Sequence, residues 1–314
     1  MHSSCHAKTP DLQSPASLSN AAGRFEKQSG QAEDDGWGSL DAELPALATE
    51  VIVDSSRSLI TYNDSPDIPF DRSINPYRGC EHGCIYCFAR PSHAYLGYSA
   101  GLDFESKILV KPDAARLLRA ELGKRSYRCA PLALGTNTDP YQPLERRQRI
   151  MRQILEVLAE ARHPVSIVTK SALIERDLDI LAEMAAQGLA SVYLSITTLD
   201  RTLARALEPR AAAPQRRLET LAHLRAAGVP TGVIVAPLIP VLTDPELEAI
   251  VSAAHAAGAL SAGYILLRLP LEVADLFEEW LHRHFPLKAE HVMQRIRDSR
   301  GGKAYDAAFH RRQS

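Results

Sequence analysis

Residues 165–196 read VSIVTKSALIERDLDILAEMAAQGLASVYLSI. A short β-branched run at 165–169 is followed by a polar turn. Leu178, Leu181 and Ala185 then recur at helical steps, Gly188 stops the helix, and 192–196 form a second apolar run. A strand, a helix and a strand in so few residues require a crossover, so the two strands are parallel. The unit repeats. Further strands are expected at 132–135, 232–235 and 263–267, with apolar helix faces at Met151, Ile154, Leu155 and Leu158, at Leu218 and Leu221, and at Leu247, Ile250 and Val251. With the stretch before Cys80 counted as a first strand there are six. Six βα units fit a partial barrel or an open doubly wound sheet, and in both the loops at the strand C-terminal ends build the active site.

The flanks differ in composition. Residues 1–45 mix Ser, Gly, Ala and acids without periodicity, which predicts a disordered acidic leader. Residues 46–69 hold two β-rich runs, 51–53 and 59–62, that suit a hairpin or ribbon. The core is expected over 70–270, and 271–314 form a helical, basic extension with helices at 271–283 and 287–298 that pack across the last strand. The segment from Arg295 to Lys303 suits a basic cover for an anionic substrate. The chain carries 36 Lys plus Arg against 38 Asp plus Glu, so net charge gives no reason to expect a nucleic-acid partner. No apolar run is long enough to span a membrane and the N-terminus lacks a secretory signal, so a cytoplasmic protein with no membrane partner is expected.

In a reducing compartment five cysteines, three of them within eight residues, point to metal or reactive thiols. The three form Cys80-Glu-His-Gly-Cys84-Ile-Tyr-Cys87. Thiolates are the usual ligands of iron–sulfur cubanes, which normally take four; three leave one iron open for a substrate. The other reading is structural zinc completed by His82 or His93, although zinc sites usually pair two short ligand couples and no second couple is present. Cys5 reads as incidental, and Cys129 as a small buried residue.

CxxxCxxC with Tyr86 before its last cysteine, after the first strand of a βα series, resembles the radical S-adenosylmethionine (SAM) superfamily over roughly 70–270. More narrowly, Cys84-Ile-Tyr-Cys87-Phe88, Thr136-Asn137-Thr138-Asp139-Pro140 and Thr169-Lys170 resemble the spore photoproduct lyase branch and its uncharacterised bacterial relatives. The resemblance implies a partial (βα)6, TIM-like barrel, and a 4Fe-4S cluster on Cys80, Cys84 and Cys87. It implies reductive cleavage of SAM to a 5′-deoxyadenosyl radical that abstracts hydrogen from a substrate the sequence does not name. A one-electron donor such as flavodoxin or ferredoxin is implied as a partner.

It also nominates cofactor contacts: Tyr86 and Phe88 beside the cysteines, Thr136, Asn137 and Asp139 for the SAM amino group, and Lys170 for its carboxylate. Ser195 is nominated for a ribose or carboxylate contact, Ile234 in the Val233–Val235 run for adenine, and Arg268 as a mouth cation. Arg210, Arg216 and Arg217 read first as helix-surface residues. No catalytic side chain is assigned. The narrower resemblance breaks where photoproduct lyase uses a cysteine as hydrogen donor, because Thr136 stands there. DNA photoproduct repair, with nucleic acid as partner, is therefore the second reading, and a zinc-stabilised binding module without catalysis the third.

Overall fold

The computed structural model describes residues 15–21, 24–25, 48–64 and 70–305. Cys5, most of the acidic leader, Pro66, Pro69 and the end of the basic tail lie outside them. Ten strands are present among the described residues: β1 Glu50–Val53, β2 Ile60–Tyr62, β3 Arg72–Ile74, β4 Tyr77–Arg78, β5 Lys107–Val110, β6 Leu132–Leu134, β7 Val165–Thr169, β8 Ala190–Ser195, β9 Thr231–Leu238 and β10 Ser261–Leu266. The helices are α1 Leu102–Ser106, α2 Ala114–Leu122, α3 Glu145–Gln148, α4 Ile150–Glu160, α5 Leu178–Ala186, α6 Arg201–Leu207, α7 Pro214–Ala226, α8 Leu247–Ala256, α9 Glu272–His284 and α10 Ala289–Asp298.

Seven strands form one sheet in the order β10-β9-β8-β7-β6-β3-β2. The six expected strands, β3 and β6 to β10, are all parallel and neighbours in chain order. That order decides between the two architectures left open by the strand count. A doubly wound sheet reverses direction at a switch point, whereas sequential parallel strands with right-handed crossovers send every helix to one face and curl the sheet. The side chains agree. Leu134, Ile167, Val192, Val233 and Val235 share one core with Ile154, Leu181, Leu221 and Ile250 from the helices. Alternate residues such as Val168, Tyr193 and Ile234 stay half-buried on the opposite, concave face. Among the described residues the barrel is open between β2 and β10, which each pair on one side only.

Three expectations are corrected. The runs at 51–53 and 59–62 do not pair as a hairpin. β2 pairs antiparallel with β3 and caps the main sheet, while β1 pairs parallel with β5, a strand the sequence reading missed, in a second sheet of order β1-β5-β4. Ile108 and Val110 on β5 are buried and so repay pairing to both neighbours. The leader is not unstructured throughout: Ala16 and Ser17 are buried and donate their backbone N–H groups to Glu105 at 3.3 and 3.0 Å. A buried carboxylate recruits whatever donors the chain supplies.

Finally, α9 and α10 lie at the expected places but do not cover the last strand, where Tyr264 and Ile265 remain exposed. Their apolar faces, with Val273, Phe277, Trp280 and Val292, instead share a core with Ile85, Tyr86 and Cys84 of the cysteine loop and with Leu207 of α6. No helix among the described residues is long and apolar enough to cross a membrane.

Trp280 is fully buried and donates its indole N–H to the Ala206 carbonyl at 3.1 Å. Trp280→Ala is expected to cost about 3–5 kcal/mol in urea unfolding. Because that core includes Cys84, the variant should also retain less iron after reconstitution. Unchanged stability would mean that the two C-terminal helices do not support the loop.

Candidate metal centre

β3 and β4 deliver the chain into the cysteine loop. Gly79 has φ +83°, and a Cβ there would lie 2.9 Å from both the His93 ring and Ile108, so only glycine fits the approach. The loop then makes three turns, each opened by a cysteine. The Cys80 carbonyl accepts from Gly83 N–H at 3.1 Å, that of Cys84 from Cys87 at 3.2 Å and that of Cys87 from Arg90 at 3.1 Å. This coil gathers the thiols: Cys80 is within electrostatic reach of Cys84 and Cys87, and Cys84 of Cys87. Cys80 and Cys84 are buried and Cys87 is half-buried. Burial raises all three thiol pKa values, that of Cys84 to about 12. Thiols so placed are poor nucleophiles until a metal displaces their protons. Three sulfur donors gathered on one loop, with no fourth cysteine beside them among the described residues, fit an iron–sulfur cluster with one open iron.

Two arginines lock the loop from behind. Arg90, fully buried, donates to the carbonyls of Cys84 (2.9 Å), Gly83 (3.0 Å), Ala100 and Gly101 (both 2.9 Å) and to Glu105 at 2.7 Å. Arg210 donates to the Glu81 carbonyl and, at 2.5 Å, to the other Glu105 oxygen. A buried ion triad is tolerable only when its lone pairs and donors are used, as here, and breaking one member typically costs about 3–5 kcal/mol. Gln142 fastens the loop's entrance, accepting from Glu81 N–H at 2.8 Å.

The segment after β6 sits beside the loop. Asn75 accepts from Asn137 N–H at 3.1 Å and from the Thr136 hydroxyl at 3.3 Å; Thr138 binds the Tyr77 carbonyl at 3.0 Å. The Asp139 carboxylate accepts from Thr169 Oγ1 (2.7 Å), Lys170 N–H (2.7 Å) and Tyr141 N–H (2.9 Å), with His82 Nδ1 at 3.4 Å. Burial alone would raise its pKa, but His82, the Lys170 N–H and Thr169 together bring it down to about 2. Asp139 therefore ties β6, β7 and the loop together, while its own backbone N–H faces the Cys80 sulfur.

A second buried carboxylate, Glu208, was not anticipated from the sequence. It accepts from Tyr86, from Thr197 at 2.6 Å and from Arg217, and lies 3.6 Å from Lys170 Nζ. Its burial is outweighed by the charges of Arg217 and Lys170 and by the hydroxyls of Thr197 and Tyr86, giving a pKa of about 2. Lys170 also donates to Ser195 Oγ at 2.5 Å and to the Ala236 carbonyl at 3.1 Å, and stands 5.9 Å from the Tyr86 ring centre.

Tyr86, Lys170 and Ser195 are thus brought together at the β7–β9 ends, with Asp139 on the adjoining loop. Ile234 lies on the concave face, opposite the core-facing Val233 and Val235. Phe88 is half-exposed beside Cys87, and Arg268, past β10, is half-buried and already engaged. Arg217 corrects the surface reading: it is 1% exposed and also donates to the Ser195 carbonyl at 2.8 Å. Arg216 is a surface residue paired with Glu175 at 2.7 Å. Cys129, expected to be buried, is exposed. The histidines weighed for zinc are turned elsewhere, His82 to Asp139 and His93 to the Lys107 carbonyl at 2.9 Å.

Comparison with known proteins agrees with this geometry. Residues 74–254 match the family model of the radical SAM superfamily. An uncharacterised protein of Mycobacterium tuberculosis is 42% identical over 221 residues, 70% of this chain and 65% of the relative; one from Methanocaldococcus jannaschii is 28% identical over 173 residues, 55% of this chain and 62% of its own. The matched segment thus spans just under two thirds of the curated relatives. Among solved structures, a spore photoproduct lyase mutant superposes with a TM-score of 0.54 at 17% identity, covering 80% of each chain. Another mutant, solved with bound AdoMet and dinucleoside spore photoproduct, gives 0.53 at 16%, covering 75% of this chain and 66% of that one. At such identities the likeness is one of fold.

Two outcomes check the site. Gly83 has φ +66°, and a Cβ there would lie 2.2 Å from Arg210 Nη2 and 2.5 Å from Glu105 Oε2; Gly83→Ala should abolish iron loading, and full loading would refute the clamp. Asp139 and Glu208 have folded pKa values below their ordinary 3.8 and 4.5. Their stabilisation is complete above those ordinary values and drains as pH falls toward about 2. Unfolding free energy should decline across that window, and less steeply in Glu208→Gln; identical slopes would contradict the assignment.

Proposed function

This chain belongs to the radical SAM superfamily, and from that premise we propose that it is an enzyme that cleaves SAM reductively. In this reading Cys80, Cys84 and Cys87 hold a 4Fe-4S cluster with one iron left open, and the bound pair supplies a 5′-deoxyadenosyl radical for hydrogen abstraction. The observation that carries the reading is the run of three cysteine-opened turns, locked by Arg90 and Arg210 at the mouth of a parallel partial barrel.

The chain's own residues bind and orient. Lys170, a cation held by neutral oxygens and by Glu208, takes the SAM carboxylate. The Thr136 and Asn137 side chains and nearby carbonyls offer acceptors for its amino group, while Asp139, already saturated, holds that loop in register. Ser195 and Ile234 line the ribose and adenine side, and Glu208 fixes Tyr86 against Lys170. Phe88 and Arg268 flank the mouth. A one-electron donor of the flavodoxin or ferredoxin kind would supply the electron, and a cysteine set kept for metal suits a reducing, cytoplasmic setting.

We do not extend the reading to photoproduct repair. Position 136 holds a threonine whose hydroxyl is bonded to Asn75, and exposed Cys129 lies before β6.

Anaerobically reconstituted protein, reduced and given SAM, is expected to release 5′-deoxyadenosine, measured by liquid chromatography and mass spectrometry. Cys84→Ala should fall to the level without protein. Lys170→Met should keep its iron but weaken SAM binding at least tenfold. A loaded wild-type cluster that yields no 5′-deoxyadenosine would overturn the proposal.

A further inference from the structure

The second, three-stranded sheet ends in a cavity of about 370 Å³ between residues 53–57, after β1, and the turn that opens α2. β1 and β5 are parallel, so both carry their C-terminal ends to it. It is separate from the cysteine loop. β5 opens at Lys107, whose carbonyl holds His93, and Lys111 follows its last residue, about 13 Å farther along at the usual rise per strand residue.

Lys111 lines this cavity while only 8% exposed. Among the described residues its ammonium makes no hydrogen bond and no ion pair within 4.0 Å. Of the nearby acids, Asp54 also lines the cavity and keeps its Oδ2 buried without a hydrogen bond, its charge acting on Lys111, while the others are engaged elsewhere. Asp54 accepts from Ser56 N–H at 3.0 Å and Ser56 Oγ at 2.6 Å and pairs with Arg78 at 3.1 Å. Glu121 accepts from the N–H groups of Leu59 (2.5 Å) and Ile60 (3.3 Å). Asp113 pairs with Arg116 at 2.9 Å.

Burial of the Lys111 side chain disfavours its charged form and depresses its pKa, against the pull of Asp54. Asp113, at the N-cap of α2, makes no side-chain capping bond, so the first-turn amides of Ala115 and Arg116 face the cavity's end of the helix without an intrahelical acceptor. Arg57 adds a further charge on the rim.

We propose that this cavity binds a small phosphomonoester. Its dianionic phosphate sits against Lys111, the α2 amides and Arg57, with Ser55 beside it. A tetrahedral anion draws donors from several directions at once, as this arrangement offers. The cavity falls in the ordinary range for small-molecule sites, about 300–1,000 Å³, and its Val53 and Leu117 walls leave room for an organic moiety beyond the phosphate.

The test needs no cluster, so its failure and that of the SAM reading are distinguishable. The full chain is titrated calorimetrically with inorganic phosphate and with ribose 5-phosphate, and its melting temperature is followed against sodium chloride of matched ionic strength. One saturable site is expected, with ribose 5-phosphate binding several-fold more tightly, and melting raised by phosphate and not by chloride. Lys111→Met should weaken binding at least tenfold, with its melting temperature without ligand measured to check that it folds. Exposed Arg57→Ala, which leaves the core untouched, should weaken binding several-fold at unchanged stability. Equal effects of chloride and phosphate, or undiminished binding in both variants, would overturn the assignment. So would equally tight binding of an oligonucleotide without terminal phosphates, which would move the ligand to a nucleic-acid backbone.

Discussion

A buried carboxylate is tolerable only when its lone pairs are used, and Glu105 uses its own on two guanidinium groups and two backbone amides. Through Arg90 and Arg210 that one negative charge reaches the carbonyls of Glu81, Gly83 and Cys84. A loop that must aim three thiols at one centre has no helix or sheet ladder to fix it. Here the fixing is electrostatic, and it draws α1, the turn between α6 and α7 and a piece of the N-terminal segment into the same bond network.

Glu208 does the corresponding work across the mouth. It holds Tyr86 of the cysteine loop, Thr197 after β8 and Arg217 of α7. The two carboxylates let the sheet do what sequential parallel strands allow. All crossovers go to one face, the other stays concave and half-wet, and the strand C-terminal ends converge beside the loop. Asp139 joins the two networks, with β7 on one side and His82 on the other.

Much of this was legible in the sequence. The unit at 165–196 repeats often enough to give six parallel strands, and the cysteine spacing marks the loop proposed to hold the metal. What escaped was whatever depends on tertiary placement. β5 is four residues long and pairs with strands far away in the chain, so no local period announces it. Arg217 sits on a helix of weak amphipathic pattern and reads as solvated until Glu208 is seen opposite. Glu208 itself is a lone acid after a helix end, and Arg90 a lone base after the cysteines; neither type nor spacing signals burial. Lys111 shows the same limit from the other side, because only the fold reveals that its side chain is buried and makes no hydrogen bond among the described residues.

The central claim is that the cysteine trio grips a cubane and leaves one iron free for SAM. Mössbauer spectroscopy of protein loaded with the Mössbauer-active iron isotope tests it most directly, because it resolves individual irons. On adding SAM, the signal of a single iron should shift while the other three keep theirs. Four irons that ignore SAM, or a centre with no cubane signature, would contradict the account.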